Sequence, residues 1–336
     1  MNVAELELLL SEPTAPLVDA MRQLSGDILL LGVAGKMGPT LARLARRATD
    51  ATGVQRRIIG VARFADPAVR ASLEREGIET ITCDLLDAAA RRALPATANV
   101  ISLVGQKFGT TGQEPRTWAV NAWLAGTLAE QFQSARFVAL STGNVYPLWP
   151  RESAGPTESD PVGPIGEYAQ SALARERLLT FFSERLDVAM AILRLNYAIE
   201  PRYGVLRDIA DAIWQGRPVA LGMGTVNVIW QRDANAMVLM ALAHCGVPPI
   251  ILNVTGAAVS VRALAEGLGR RLARAPIFSG EEAPTALLSN AARATALFGA
   301  PPVGIERMLD VVAEWVAADG ASLGKPTHFE ERSGAF

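Results

Sequence analysis

DILLLGVAGKMGPTLARLARRA, residues 27–48, decides the fold. Ile28 to Leu31 is an apolar run too short for a free-standing helix and dense enough for a strand buried on both faces. The run breaks at Gly32 and resumes with helical spacing, and Pro39 suits the first turn of a helix because its φ is fixed. Gly32, Gly35 and Gly38 stand three apart between the two elements. Strand, glycine turn and helix N-terminus together make a site for nucleotide phosphates, because backbone N–H groups converge there with no Cβ in the way.

Composition narrows the class. The chain has 336 residues, half of them hydrophobic, enough for a nucleotide domain and a smaller second lobe. A net charge of -2, with only short basic runs, argues against nucleic-acid and anionic-membrane partners. The N-terminus carries acidic residues and no cationic leader, and the apolar runs fall short of a bilayer span, so we expect a cytoplasmic protein with no membrane association. Cys83 and Cys245 lie outside any metal-ligand spacing and read as small buried residues. His244 and His328 are the only histidines, which leaves little from which to build a Ser-His-Asp triad, and no metal site is expected.

Further strands are expected at 57–62, 79–83, 99–104, 136–140 and 188–195, alternating with helices. This order predicts an α/β fold: a Rossmann-like, doubly wound parallel sheet with a smaller C-terminal α/β substrate lobe. Residues 1–25 read as an N-terminal helical extension, 26–200 as the NAD(P)-binding domain and 201–320 mostly as the substrate lobe, with a strand at 250–254. Residues 321–336 read as a polar tail without chemistry. A helix over 114–133 carries Trp118, Asn121 and Trp123, and a strong helix begins near Glu167. The second strand ends at Arg63 with no acid beside it, which favours accommodation of a 2′-phosphate, so NADP is slightly preferred over NAD; Lys36 points the same way. The fifth strand delivers Ser141-Thr142-Gly143-Asn144-Val145-Tyr146 to the carboxyl edge of the sheet, where ligands sit in such folds.

The order of elements resembles the extended short-chain dehydrogenase/reductase family, which includes nucleotide-sugar epimerases and dehydratases, over nearly the whole chain. Gly32-Val33-Ala34-Gly35-Lys36-Met37-Gly38 looks like its GxxGxxG turn, Asp84-Leu85 its adenine-side acid, and Val120-Asn121 its helix asparagine. Ser141 to Tyr146 resembles the signature that places Thr142 at the catalytic hydroxyl, and Leu193 to Tyr197 the segment passing nicotinamide and substrate. Asp233 resembles the acid of the second lobe. The resemblance implies catalysis by Thr142 and Tyr168. It implies cofactor contacts from Gly32, Gly35, Lys36, Met37 and Gly38 in the turn, from Arg63, Asp84 and Leu85, from Val104, Gly105 and Asn121, and from Leu195 and Asn196. Asn144, Tyr197, Arg207 and Trp230 are the substrate-side candidates, because an arginine and aromatic rings suit a sugar or an anionic metabolite. Homodimerisation is implied through the helices at 114–133 and 168–184, which carry Trp118, Trp123, Leu178 and Phe181.

One departure matters. The family pairs its tyrosine with a lysine four residues later, on the same helix face, and here that position is Ala172. A tyrosine near its reference pKa of about 10 is ionised roughly once in a thousand molecules at pH 7, so Tyr168 without a substitute cation is a poor general base. Three readings follow: an epimerase, dehydratase or ketoreductase acting on a sugar or related hydroxy/keto metabolite; a catalytically silent NAD(P)-binding sensor or scaffold; and a non-redox enzyme on the same fold.

Overall fold

The computed structural model describes residues 1–107 and 109–335. Seven strands form one parallel sheet: β1 (Ile28–Leu31), β2 (Ile58–Ala62), β3 (Glu79–Thr82), β4 (Asn99–Ser102), β5 (Arg136–Thr142), β6 (Met190–Leu195) and β7 (Ile250–Val254). Their spatial order, 7-6-5-4-1-2-3, reverses direction between β1 and β4, which opens a crevice at the carboxyl edge of both. β1 is buried along its whole length because it faces helices on both sides. Ile28 and Leu30 pack with the helix Gly38–Thr52, while Leu29 and Leu31 pack against Leu124, Leu128 and Leu179 on the opposite face.

The predicted Rossmann-like sheet is therefore present, but the chain divides between the two units differently from the linear reading. The strand at 250–254, expected in the second lobe, is the sheet's seventh strand, pairing with β6 from Ile250↔Ala191 to Val254↔Leu195. The helix Gln231–Met240 returns with it, and its Gln231 and Asn235 amides donate to Thr40 Oγ1 at 2.8 and 3.1 Å on the glycine-turn helix. The second lobe has its own core, in which Ile209, Leu264, Leu268 and Leu309 pack together from three helices. The helix Val3–Leu9 joins that core through Leu6 and Leu10, so only the second half of the N-terminal extension, Ala15–Gln23, rests on the nucleotide domain. Glu7 links the units by ion pairs to Arg43 and Arg202, at 2.7 and 2.5 Å.

The expected continuous helix at 114–133 is interrupted: Glu114–Trp118 and Leu124–Gln131 are α-helical, and Ala119–Trp123 between them is a π-helical turn. The tail also differs from expectation. Thr327 and Phe329 are buried, the backbone N–H and hydroxyl of Thr327 both donate to Asp208, and Arg332 donates to the Thr285 carbonyl at 2.7 Å. The tail thus lies along the second lobe and returns to Gly166, at the start of the helix Gly166–Leu186, where Gly334 packs against the Ile165 carbonyl. Phe336, at the end of that expected tail, lies outside the described residues. Among the described residues, no helix is long and apolar enough to cross a membrane.

One ion pair fastens the helix Gly166–Leu186 to the sheet. Glu176 and Arg194 are both buried, with Nη2 and Oε2 2.7 Å apart; Ser141 Oγ also donates to Glu176, and Arg194 Nη1 donates to the Tyr146 hydroxyl. Removing one partner leaves the other charge without its counterion in a low-dielectric site. Glu176→Gln is expected to lower the unfolding free energy by about 3 kcal/mol. The double change Glu176→Leu with Arg194→Met should cost less than that single change, as measured by urea denaturation; equal or larger loss in the double variant would show that the pair's charge is not what the core depends on.

Candidate active site

The glycine turn is shaped by close approach. Gly32 has φ +84°, a conformation that favours glycine, and its N–H donates to the Val61 carbonyl at 2.8 Å, locking the turn to β2. A Cβ on Gly38 would lie 2.1 Å from the Val33 carbonyl oxygen, so the helix Gly38–Thr52 starts pressed against the turn. No side chain caps that helix, and Met37 at its N-cap lines a cleft of about 870 Å³ together with Gly32, Gly35, Lys36 and Gly38. An uncapped helix start with a glycine approach fits the diphosphate of a dinucleotide, because the first-turn N–H groups need acceptors.

At the far wall, successive residues of β5 face opposite ways. Ser141 turns to Glu176, while Thr142 turns into the cleft, where its Oγ1 donates to Asn144 Oδ1 at 2.9 Å and accepts from the Asn144 N–H at 3.2 Å. Tyr168 reaches the same point from its helix, its phenol sharing a hydrogen bond with the Thr142 hydroxyl. Burial raises the Tyr168 phenol above its usual pKa, and the Thr142 bond and the charge of Arg175 only partly oppose this. The phenol is therefore protonated at neutral pH.

Ala172 is fully buried, packed with Val145 and Tyr146, and offers no polar atom toward Tyr168. Arg175, one turn further along the helix, is the cation whose field reaches the phenol. Its guanidinium donates to the Leu140 and Asn121 carbonyls at 2.7 and 2.9 Å and to Asn121 Oδ1 at 2.9 Å. It contributes a fixed positive charge from behind the wall.

Most of the residues singled out from sequence meet in this one cleft. Thr142, Asn144 and Tyr168 line it with the glycine turn, as do Arg63, Asp84, Leu85, Val104, Gly105, Leu195, Asn196 and Tyr197. Four do not line it. Asn121 sits behind the wall on the π-helical turn, where its side chain accepts from the Gln106 N–H at 2.7 Å and donates to Ser171 Oγ at 2.9 Å. Arg207 is buried, bonded to Asp211 and to the Pro201 and Gly320 carbonyls, because its helix turns that face toward the start of the tail. Trp230 is 1% exposed and fills the core of the second lobe. Asp233 is likewise structural: it accepts from the Val303 N–H at 3.0 Å and pairs with Arg232.

Among the lining residues that the sequence did not single out are Lys107, Tyr203, Lys325 and Thr327. The signal available for two of them was rarity, since Lys36, Lys107 and Lys325 are the only lysines in the chain. The Lys36 ammonium lies 3.5 Å from the centroid of the Tyr203 ring, turned toward the second lobe. Burial, with help from the charges of Lys107 and Lys325, lowers its pKa to about 7, and burial lowers that of Lys107 to about 8.

A family model described as NAD dependent epimerase/dehydratase matches residues 28–254. Comparison with curated proteins finds no match. Among solved structures, the chain is similar to UDP-glucuronic acid 4-epimerase from Bacillus cereus, in complex with UDP-glucuronic acid and NAD, at 18% identity and TM-score 0.73, over 87% of this chain and 99% of that one. It is similar to UDP-glucose 4-epimerase from Thermotoga maritima, with UDP-glucose, at 17% identity and TM-score 0.70, over 87% and 99%. It is also similar to dTDP-glucose 4,6-dehydratase from Bacillus anthracis, in complex with NAD, at 14% identity and TM-score 0.71, over 87% and 97%. At these identities the likeness is one of fold.

The Lys36 shift has a consequence for stability. Between pH 7 and 10.5 the folded chain has released a proton that the unfolded chain still holds, so this group makes stability rise with pH across that window. Below pH 7 its buried charge carries its full cost. Lys36→Met should therefore raise Tm most below pH 7, with the gain shrinking toward pH 10.5. A gain independent of pH in thermal melts would mean that the ammonium is not desolvated.

Proposed function

The chain belongs to the NAD dependent epimerase/dehydratase family, and on that premise we propose that it is a nicotinamide-dependent enzyme with epimerase, dehydratase or ketoreductase chemistry on a sugar or related hydroxy/keto metabolite. The observation that carries this reading is the Thr142–Tyr168 contact, set in the same cleft as the glycine turn. The similarity to solved structures holding NAD and nucleotide sugars supports it.

In this reading the uncapped helix start at Met37 and Gly38 takes the cofactor diphosphate, and Asp84 and Leu85 face the adenine side. Arg63, exposed at the end of β2, favours a 2′-phosphate and hence NADP, while the solved neighbours named above that carry a nicotinamide nucleotide carry NAD. The nicotinamide, when bound, supplies the hydride acceptor or donor. Thr142 holds the reacting oxygen of the substrate by its hydroxyl, kept in orientation by Asn144. Tyr168 donates the proton. A neutral phenol is the right form for protonating an oxygen as a carbonyl is reduced, whereas the reverse direction requires the phenolate, which accepts the proton of the substrate hydroxyl as hydride leaves. The fixed charge of Arg175 stabilises the phenolate that forms during transfer and takes over part of the role of the missing lysine. Ala172 is the observation behind the alternative, a nucleotide-binding protein without turnover, and turnover itself separates the two.

The helices at 114–131 and 166–186 expose Trp118, Trp123 and Phe181, with Leu178 half-buried between them. We read this apolar face as the seat of a homodimer.

Two outcomes are expected. Calorimetric titration should detect NADH or NADPH in the micromolar range or tighter. Tyr168→Phe should keep that affinity while lowering turnover by at least about 100-fold on any active sugar or keto substrate. Turnover unchanged in the variant would remove Tyr168 from the chemistry, and absence of nucleotide binding would end the enzymatic reading. In sedimentation, the wild type should run as a dimer and Trp123→Glu with Phe181→Glu as a monomer; a monomeric wild type would refute the dimer.

A further inference from the structure

Among the described residues, six other than glycine adopt a left-handed backbone. Asp187, Ala273 and Asp319 stand at the ends of helices, where that conformation is ordinary. Phe64 is buried in the core of the nucleotide domain, and His328 lies in the tail. Tyr197, at φ +38°, is of another kind: it follows the end of β6 and lines the cleft.

The bend is pinned on both sides. Before it, the Asn196 N–H donates to the Val254 carbonyl at 3.1 Å, and the Asn196 carbonyl accepts from the Thr255 hydroxyl at 3.0 Å. At the bend, the Tyr197 carbonyl accepts from the Ile229 N–H at 3.2 Å. Ala198 and Ile199 then pair with Ile229 and Trp230, and Ile199 and Trp230 enter the second-lobe core. The chain thus passes from the main sheet to the second lobe through this residue. Glycine would make the crossing without the crowding that a Cβ meets at positive φ, so the backbone gives no reason for a tyrosine. The ring packs against the second-lobe core but stays half-buried, so that contact uses only part of it.

The polar end of the ring is unspent. The Tyr197 hydroxyl has no hydrogen-bond partner among the described residues. Burial, helped by the charges of Glu330 and Tyr168, raises its pKa, so it stands protonated as a donor. The influence of Tyr168 also places this ring near the Thr142–Tyr168 pair. A phenol joins an apolar face to a donating tip, which matches a sugar ring, with C–H groups on its face and oxygens at its rim. We propose that Tyr197 is a specificity-determining residue: its left-handed backbone presents the ring as a platform for the sugar of the substrate, and its hydroxyl donates to one oxygen of that sugar. The inference deepens the functional reading above and rests on it for the presence of a sugar, while backbone strain and nucleotide affinity are read separately.

The test uses the full chain, with UDP-glucose and UDP-glucuronic acid as probes, the sugars held by two of the solved neighbours. Each is titrated calorimetrically into protein saturated with whichever nicotinamide nucleotide binds, and into nucleotide-free protein. The wild type is expected to bind at least one of them. Tyr197→Phe should weaken that binding about fivefold, the worth of one hydrogen bond, and Tyr197→Ala should weaken it further. Tyr197→Phe should leave nucleotide affinity and Tm unchanged, because the lost hydroxyl has no partner in the protein. Tyr197→Gly should melt above Tyr197→Ala, the reverse of the order at an ordinary strand position. Glycine melting below alanine would show that the backbone is not strained and overturn the proposal. Sugar binding indifferent to both the phenylalanine and alanine changes would also overturn it, as would an equal loss of nucleotide affinity, which would assign the ring to the cofactor. A wild type that binds nucleotide and neither sugar rejects the proposal and spares the enzymatic reading; sugar binding with the expected losses but without nucleotide binding does the reverse.

Discussion

The buried pair of Glu176 and Arg194 is the constraint on which the cleft wall around Thr142 depends. Glu176 projects from the helix that carries Tyr168, Arg194 from β6, and Ser141, next to Thr142, donates to the same carboxylate. A buried ion pair is not by itself a source of stability, since desolvation of both charges offsets much of their attraction. What it does here is fix geometry. With Ser141 tied to Glu176 and Tyr146 tied to Arg194, both ends of the loop after β5 are held, and Thr142 between them has one direction left, into the cleft. The phenol of Tyr168 arrives from two helical turns earlier on the helix that Glu176 anchors.

The same helix explains how the site tolerates Ala172. The apolar side chain packs beneath Val145 and Tyr146, and the cation that affects Tyr168 comes instead from Arg175. That guanidinium donates to the Leu140 carbonyl and twice to Asn121, and Asn121 in turn holds both backbone polar groups of Gln106. The π-helical turn at Ala119–Trp123 carries Asn121 within this network. Where the resemblance would place an ammonium, this chain has an apolar side chain, and the cation near the phenol is a guanidinium held behind the cleft wall. Burial outweighs that charge and keeps the phenol protonated at rest.

The nucleotide half was readable from the sequence because its signals are local. The run at Ile28 to Leu31, the glycines that follow it and the fifth strand with its Ser141-Thr142 exit each depend on neighbours a few residues away. What sequence could not reveal depends on contacts across more than a hundred residues. The strand at 250–254 has the same composition whether it belongs to a small lobe or completes the main sheet. Leu6 and Leu10 show an apolar helix face without showing which core receives it. Arg207 and Trp230 are suited to a sugar site by residue type alone, but their helix and strand orient them into ion pairs and core. The polar tail had no periodicity to reveal that Thr327 and Phe329 would be buried, or that Lys325 would reach the cleft.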